Sequence, residues 1–176
     1  MDDENLDEEL NILYREPERM KVLNSDTFRL PVGHLKVRKP VMLDVRQSVK
    51  EAINMMEVKQ FGCVLVTRSD ALAGILTERD IILKALNTGL DPDSTSIETI
   101  MTPNPESVER EESIAVVMNA MHVGGYRHVP VVDEHNIPVA VVSVKDIIGF
   151  IVENFSEEVL NVPPHPLRHS DTQDGG

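Results

Sequence analysis

The sequence predicts an α/β protein made of two copies of one strand–helix–strand–strand–helix unit. Residues 61–66 and 74–82 match residues 126–131 and 140–148 at offsets of 65 and 66 positions. In both copies, short runs rich in β-branched residues alternate with apolar stripes at helical spacing. One copy is too small to bury its sheet well, so we expect the two copies to pack together.

The predicted elements follow in the same order in each repeat. The first repeat has a strand at residues 37–43, a helix with the apolar stripe Val49, Ala52, Ile53 and Met56, strands at 63–66 and 74–76, and a helix from Thr77 to near Gly89. The second repeat has a strand at 102–108, a helix with the stripe Ile114, Val117, Met118 and Met121, strands at 128–132 and 139–142, and a helix from Ser143. The first helix of the second repeat is apolar on more than one side, which predicts contact beyond its own core.

Composition divides the chain into five parts. We expect an acidic extension at residues 1–26, the repeats at 27–90 and 97–160, a linker at 91–96 and a disordered tail at 161–176. Three leucines of the extension have helical spacing, so the extension fits either a short docking helix or a solvated segment.

Charge and residue usage exclude several classes of function. The net charge of −13 and an aromatic content of 3% disfavour nucleic-acid binding, which needs positive groups and stacking rings. Cys63 is the only cysteine, so an intrachain disulfide is excluded. The acidic start differs from a signal peptide, and the apolar runs are too short to span a bilayer. We therefore expect a soluble cytoplasmic protein with no membrane partner.

A hydroxyl residue and an aspartate recur at the start of the last helix of each repeat. Thr77 and Asp80 in the first repeat correspond to Ser143 and Asp146 in the second. This spacing fits a helix capping box, which is a purely structural role. It also fits a nucleoside phosphate site, because a carboxylate accepts hydrogen bonds from a ribose diol while helix N–H groups and hydroxyls suit phosphate.

Positive charge for a phosphate is available beside the second of these sites. Arg127 offers a fixed fork of donors and His128 adds a donor near neutral pH. Pairing of Arg127 with a surface carboxylate is the alternative. The matching positions in the first repeat are Gly62 and Cys63, which supply no charge but allow a flat ring to approach the backbone.

These motifs resemble a cystathionine β-synthase (CBS) domain pair, or Bateman module, of the stand-alone prokaryotic type. The resemblance covers about residues 30–155 and rests on residues 62–66 (GCVLV), 74–80 (GILTERD), 100–105 (IMTPNP), 125–133 (GYRHVPVVD) and 142–146 (VSVKD). It implies two β-α-β-β-α motifs packed sheet to sheet with pseudo-two-fold symmetry. It also implies a homodimer and two clefts for AMP, ADP, ATP or S-adenosylmethionine, with or without Mg²⁺.

The resemblance assigns residues to each cleft. The main one, called here the Asp146 cleft, would use Ser143, Lys145 and Asp146, with Arg127 and His128 near the phosphates and an adenine wall of Val37, Phe61, Gly62 and Cys63. The weaker one, the Asp80 cleft, would use Thr77, Arg79 and Asp80, with Thr102, Tyr126 and Arg127 opposite. Ala140 replaces Gly74 of the first repeat, and we expect it to narrow the Asp146 cleft slightly.

The preferred function is a non-catalytic sensor of an adenosine-containing ligand that signals to an effector protein of unknown identity. The alternative is a ligand-free dimerisation or scaffold module in which both aspartates only cap helices. An enzyme is the least favoured hypothesis, because the sequence has no Walker loop, supported catalytic triad or histidines at metal-ligand spacing. We therefore predict no catalytic residues and no metal site.

Overall fold

The computed structural model describes residues 25–154. Contacts along the chain separate one compact unit, Ser25–Phe150, from a second that combines Met1–Asn24 with Ile151–Gly176. Of the second unit only Ile151–Asn154, the last turn of a helix, is described. The predicted amphipathic helix and the predicted disordered tail lie outside the described residues.

The elements alternate as the repeat predicts. The first half contains helix α1 (Ser25–Phe28), strand β1 (Met42–Asp44), helix α2 (Val49–Lys59), strands β2 (Cys63–Arg68) and β3 (Ala71–Thr77), and the short helix α3 (Glu78–Asp80). Helix α3 continues into a π-helical turn, Ile81–Ala85, and a 3₁₀ turn, Leu86–Thr88. The second half contains strand β4 (Thr102–Pro103), helix α4 (Ile114–Gly124), strands β5 (His128–Val132) and β6 (Pro138–Ser143), and helix α5 (Val144–Asn154).

Two sheets carry the pseudo-symmetry. The first has the order β1-β2-β3-β4, with β1 parallel to β2 and the other pairs antiparallel. The second is the antiparallel pair β5-β6, and Val108 bridges to Val131 in the parallel sense. The register shifts after Val66 in β2 and after Val131 in β5, which are equivalent positions of the two repeats. The two-repeat α/β fold is therefore confirmed.

The predicted lead strands are too long. The strand expected at residues 37–43 begins only at Met42, and the strand expected at 102–108 is reduced to β4 and the single bridge of Val108. Each predicted segment contains a proline, which has no N–H to donate to a sheet. Asn104 also adopts a left-handed conformation with φ of 44°, which ends β4.

Apolar side chains cover both faces of the first sheet. Alternate residues of β2 point to opposite faces, so Val64 and Val66 pack with Val49, Ala52 and Met56 of helix α2. On the other face, Cys63 and Leu65 of β2 pack with Leu72 and Ile75 of β3 and meet Val132 and Val141 of the second sheet. The two repeats therefore pack sheet to sheet, as predicted.

Each repeat is also completed by a segment that precedes the other. Residues 95–97 form hydrogen bonds with residues 47–49, and Ile97 is fully buried in the core of the first repeat. Residues 30–32 form the equivalent bonds with residues 112–114, at the start of α4. These two exchanged segments join the repeats through backbone hydrogen bonds, in addition to the contact between the sheets.

The Gly74 position, where the repeats differ, is explained by packing. A Cβ atom on Gly74 would lie 2.4 Å from Met101 Sδ and 3.0 Å from the Thr102 carbonyl oxygen. Strand β4 pairs directly with Gly74 and leaves no space there. In the second repeat, Ala140 is buried in β6 and pairs with Val131 of β5.

We predict that Gly74→Ala lowers the free energy of unfolding by about 1–3 kcal/mol, because the methyl group overpacks the β3–β4 contact. Urea unfolding measures the change. Gly149→Ala is the matched control, since a Cβ atom there meets no atom within 4 Å and alanine favours a helix. Equal stability of the two variants would contradict the packing of Met101 and Thr102 against β3.

Candidate functional site

The last helix of each repeat begins with the same hydrogen-bonded arrangement. In the first repeat, the backbone N–H and the hydroxyl of Thr77 donate to Asp80 Oδ2 at 3.0 and 2.6 Å, and the N–H of Asp80 donates to Thr77 Oγ1 at 3.2 Å. In the second repeat, Ser143 and Asp146 form the same bonds at 2.8, 2.6 and 3.3 Å. Both aspartates therefore act as capping residues through one carboxylate oxygen each.

The N–H groups at both helix starts are largely used within the chain. The N–H of Glu78 donates to the Gly62 carbonyl at 3.2 Å, and the N–H of Val144 donates to the Arg127 carbonyl at 3.1 Å. The third N–H of each helix donates to the capping hydroxyl. A phosphate at either site would therefore depend mainly on side chains.

The second carboxylate oxygen distinguishes the two aspartates. Asp80 Oδ1 forms an ion pair with Lys84 Nζ at 2.7 Å, and only 13% of the Asp80 side chain is exposed. Within residues 25–154, Asp146 Oδ1 has no hydrogen-bond or ion-pair partner. One site thus presents an open acceptor, and the other presents an acceptor that is already bound.

A pocket of about 380 Å³ lies beside Asp80, a volume within the usual range for small-molecule sites. Its lining contains all the side chains that the sequence predicts for the Asp80 cleft: Thr77, Arg79, Asp80, Thr102 and Tyr126. Arg127, which the resemblance assigns to both clefts, lines it too, as do Gly62 and His128, which it assigns to the Asp146 cleft. Glu78 and Glu106 add two further carboxylates to the same pocket.

Tyr126 reaches the pocket wall because α4 ends in two glycines. Gly125 caps the helix in a left-handed conformation with φ of 69°. A Cβ atom on Gly124 would lie 2.0 Å from the Tyr126 ring, so only glycine lets the ring lie across the end of the helix. The Tyr126 hydroxyl donates to Glu106, and burial together with this carboxylate raises the pKa of Tyr126 to about 12.

Lys84 stabilises the ionised form of Asp80. Burial opposes ionisation, but the hydrogen bonds from Lys84 and Thr77 outweigh it and hold the pKa of Asp80 below its usual value. The same ammonium donates to the Ile100 carbonyl at 3.0 Å and to Thr102 Oγ1 at 3.4 Å. The lysine therefore links α3 to the start of β4.

His128 and Cys63 lie close to Asp146 and Glu78. Burial raises the pKa of the Cys63 thiol to about 12, and the two carboxylates add to this effect. The thiol is packed between the sheets, and the whole residue is buried. Burial and the charge of Arg127 lower the pKa of His128, although Asp146 and Glu78 act in the opposite direction.

The remaining residues assigned to the Asp146 cleft have varied settings. Phe61 is half-buried beside the sheet interface, and the Arg38 guanidinium lies over its ring at 4.2 Å from the centroid. Val37 is half-buried in the segment before β1, and Lys145 is exposed on the first turn of α5. Gly62 lies against the side chains of Glu78 and His128.

Four site residues were missed by sequence reasoning. Lys84 follows Asp80 at the i+4 spacing of helical ion pairs, so its contact was open to prediction. Arg38 follows the predicted adenine-wall residue Val37, but its stacking on Phe61 depends on the fold. Glu78 and Glu106 carried no pattern that separates them from the many other carboxylates of the chain.

Two negative findings concern the described part of the chain. Over residues 25–154, no group of three or more histidine, cysteine, aspartate or glutamate side chains is arranged to hold a metal ion. The helices in this range are also too short or too polar to cross a membrane.

The lowered pKa of His128 predicts a pH-dependent stability. Below its ordinary value of 6.5 the unfolded chain binds a proton before the folded chain does, so stability falls as the pH drops through 6.5 towards the folded pKa. Between about pH 7.5 and about pH 5.5, we expect the melting temperature of His128→Gln to fall less than that of the wild type. His122→Gln, at an exposed position of α4, is the control, and an equal response in both variants would contradict the assignment.

Comparison with known proteins identifies the fold. The CBS domain family model matches residues 32–87 and 97–153. The CBS domain-containing protein CBSCBSPB1 of Arabidopsis thaliana is 40% identical over 85 residues, which are 48% of this chain and 16% of that protein. An uncharacterized protein of Methanopyrus kandleri is 29% identical over 115 residues, which are 64% of this chain and 59% of that one. The chain thus spans about a sixth of the plant relative and more than half of the archaeal one.

A solved structure gives the same picture. The CBS domain pair of protein MJ0100, in complex with 5′-methylthioadenosine and S-adenosyl-L-methionine, superposes with a TM-score of 0.63 at 26% identity. The match covers 70% of this chain and 96% of that one. Such domain pairs are generally regulatory ligand-binding modules. With two matched repeats that pack sheet to sheet, this chain belongs to the CBS domain family.

Proposed function

We propose that the protein is a non-catalytic sensor that binds an adenosine-containing ligand, with the Asp146 cleft as its main site. The observation that carries the proposal is the open oxygen of Asp146 at the start of α5. Its partner oxygen is held by Ser143, so the carboxylate is fixed in place while Oδ1 accepts hydrogen bonds from a ribose diol.

Side chains around Asp146 suit the rest of such a ligand. Arg127 and Lys145 offer positive charge for a phosphate, which a chain of net charge −13 must supply locally. His128 adds a ring donor on the side of the first repeat. The half-buried residues Phe61 and Gly62 present a largely apolar surface for an adenine ring, and Cys63 is buried next to them.

AMP, ADP and ATP fit this arrangement, and S-adenosylmethionine fits it through the same adenosine contacts. The adenosine ligands of the MJ0100 domain pair support this ligand class. A Mg²⁺ ion would enter with a di- or triphosphate and be held largely by its oxygens. The Asp80 cleft is a weaker second site in this proposal.

Binding would be transmitted through the packing of the two repeats. The Asp146 cleft combines α5 of the second repeat with β2 of the first, so a ligand favours one relative arrangement of the repeats over another.

We further propose a homodimer formed by the helices. Val116 and Val123 on α4 and Ile148 on α5 are 45%, 76% and 55% exposed, and they are the apolar side chains that such an interface would cover. A cytoplasmic effector protein would respond to the change.

The test is a titration of the purified protein with AMP, ADP, ATP and S-adenosylmethionine, with and without Mg²⁺, followed by calorimetry and melting temperature. Ligand binding to the folded state raises the melting temperature by mass action. We predict that Asp146→Asn weakens binding about 10- to 100-fold, because it removes a charged acceptor of the diol. Asparagine retains an oxygen for the capping bonds, so the unliganded protein should keep most of its stability.

Asp70→Asn is the matched control, since Asp70 is exposed in the β2–β3 turn at the opposite end of these strands. It removes the same charge and should leave affinity unchanged. Loss of stability in Asp146→Asn without any nucleotide response in the wild type would favour the alternative, a ligand-free scaffold in which the aspartates act only as caps.

A further inference from the structure

We propose that Lys84 determines which cleft accepts the ligand, by occupying the carboxylate oxygen of Asp80 that a ribose diol would need. The inference rests on the proposed function and extends it to a residue that has no part in the Asp146 cleft. Lys84 thereby acts as an internal competitor of the ligand. Its removal converts the weak Asp80 cleft into a second strong adenosine site.

The hydrogen bonds of Asp80 leave little room for a diol. Oδ2 already accepts from the backbone and the hydroxyl of Thr77, and Oδ1 accepts from Lys84 at 2.7 Å. A vicinal diol donates two hydrogen bonds, which a carboxylate receives best with an oxygen that is not already charge-paired. A ligand must therefore displace an ammonium ion from a carboxylate whose side chain is only 13% exposed.

Lys84 is held in this position by more than its ion pair. Its ammonium also donates to the Ile100 carbonyl at 3.0 Å and to Thr102 Oγ1 at 3.4 Å. Thr102 lines the pocket beside Asp80, so the contact with Thr102 places the ammonium near the pocket edge, although 43% of the Lys84 side chain is exposed. The i, i+4 order of aspartate before lysine also favours the pair within a helix.

The second repeat lacks this competitor. Four residues after Asp146 the chain has Phe150, which carries no charge and cannot replace the lysine. Asp146 Oδ1 accordingly has no partner among residues 25–154. A lack of positive groups does not explain the weaker binding expected at Asp80, because Arg79, Arg127 and His128 all line the pocket there. The lysine is the feature that separates two otherwise equivalent capping sites.

The experiment isolates the Asp80 cleft in an Asp146→Asn background. Adenosine, AMP and 2′,3′-dideoxyadenosine are titrated by calorimetry into that variant and into the double variant with Lys84→Met. We expect Lys84→Met to raise the affinity for adenosine and AMP at least about tenfold and to leave dideoxyadenosine unchanged, because the gain depends on the diol. Lys84→Arg retains the charge and should give no gain, and adding Asp80→Asn to the double variant should abolish it.

The reciprocal exchange tests the same proposal in the other cleft. Phe150→Lys places an ammonium four residues after Asp146 and should weaken binding to an otherwise wild-type protein about tenfold or more. Phe150→Met is the control for the loss of the ring. Melting temperatures of the unliganded variants show that each one is folded.

The outcomes separate this proposal from the one on which it rests. If the wild type binds and Asp146→Asn does not, but Lys84→Met restores nothing, the role of Lys84 is refuted and the Asp146 cleft stands. If Lys84→Met lowers affinity, the lysine is a ligand contact and the proposal is again wrong. If no variant binds any of the three probes, both proposals fail together.

Discussion

Side chains of β2 and β3 meet Val132 and Val141 between the two sheets, and this contact sets the positions of everything that surrounds the clefts. The strands of each repeat are apolar on both faces, because one face covers its own helices and the other covers the partner sheet. A single repeat would leave the second face in water. The starts of β2 and β5 are therefore brought together, and with them Gly62, Arg127 and His128.

The sequence predicts this architecture well because each pattern occurs in both repeats, so one copy supports the interpretation of the other. The apolar strands, the capping pair of Ser143 and Asp146 and the left-handed end at Gly89 all follow from local rules. Contacts that depend on the fold were beyond such rules. The exchange of residues 95–97 onto the first repeat, and the Tyr126 ring lying over Gly124, join segments whose spacing carries no local signal. The lead strands are shorter than their apolar content predicts, because proline has no N–H to donate to a sheet.

Each aspartate stabilises the start of a helix with one carboxylate oxygen and leaves the other oxygen for a different contact. A carboxylate has two oxygens, and a capping box needs only one of them. Capping fixes the direction of the other oxygen at no further entropic cost, so the helix start prepares an acceptor for a neutral donor such as a diol. A capping role and a ligand-binding role of the Thr/Ser-x-x-Asp pattern are thus compatible. The partner of the second carboxylate oxygen decides whether that oxygen is available to a ligand.

The partner of the second carboxylate oxygen also differs between the two repeats. The repeats share their register shifts, their caps and their sheet contact, so symmetry alone predicts two similar clefts. The ion pair of Lys84 with Asp80 breaks this equivalence, and in the proposed function a ligand must displace the ammonium before it binds there. In the proposed function, selectivity between the clefts depends on the contact of Lys84 with Asp80, which lies outside the core of the first repeat.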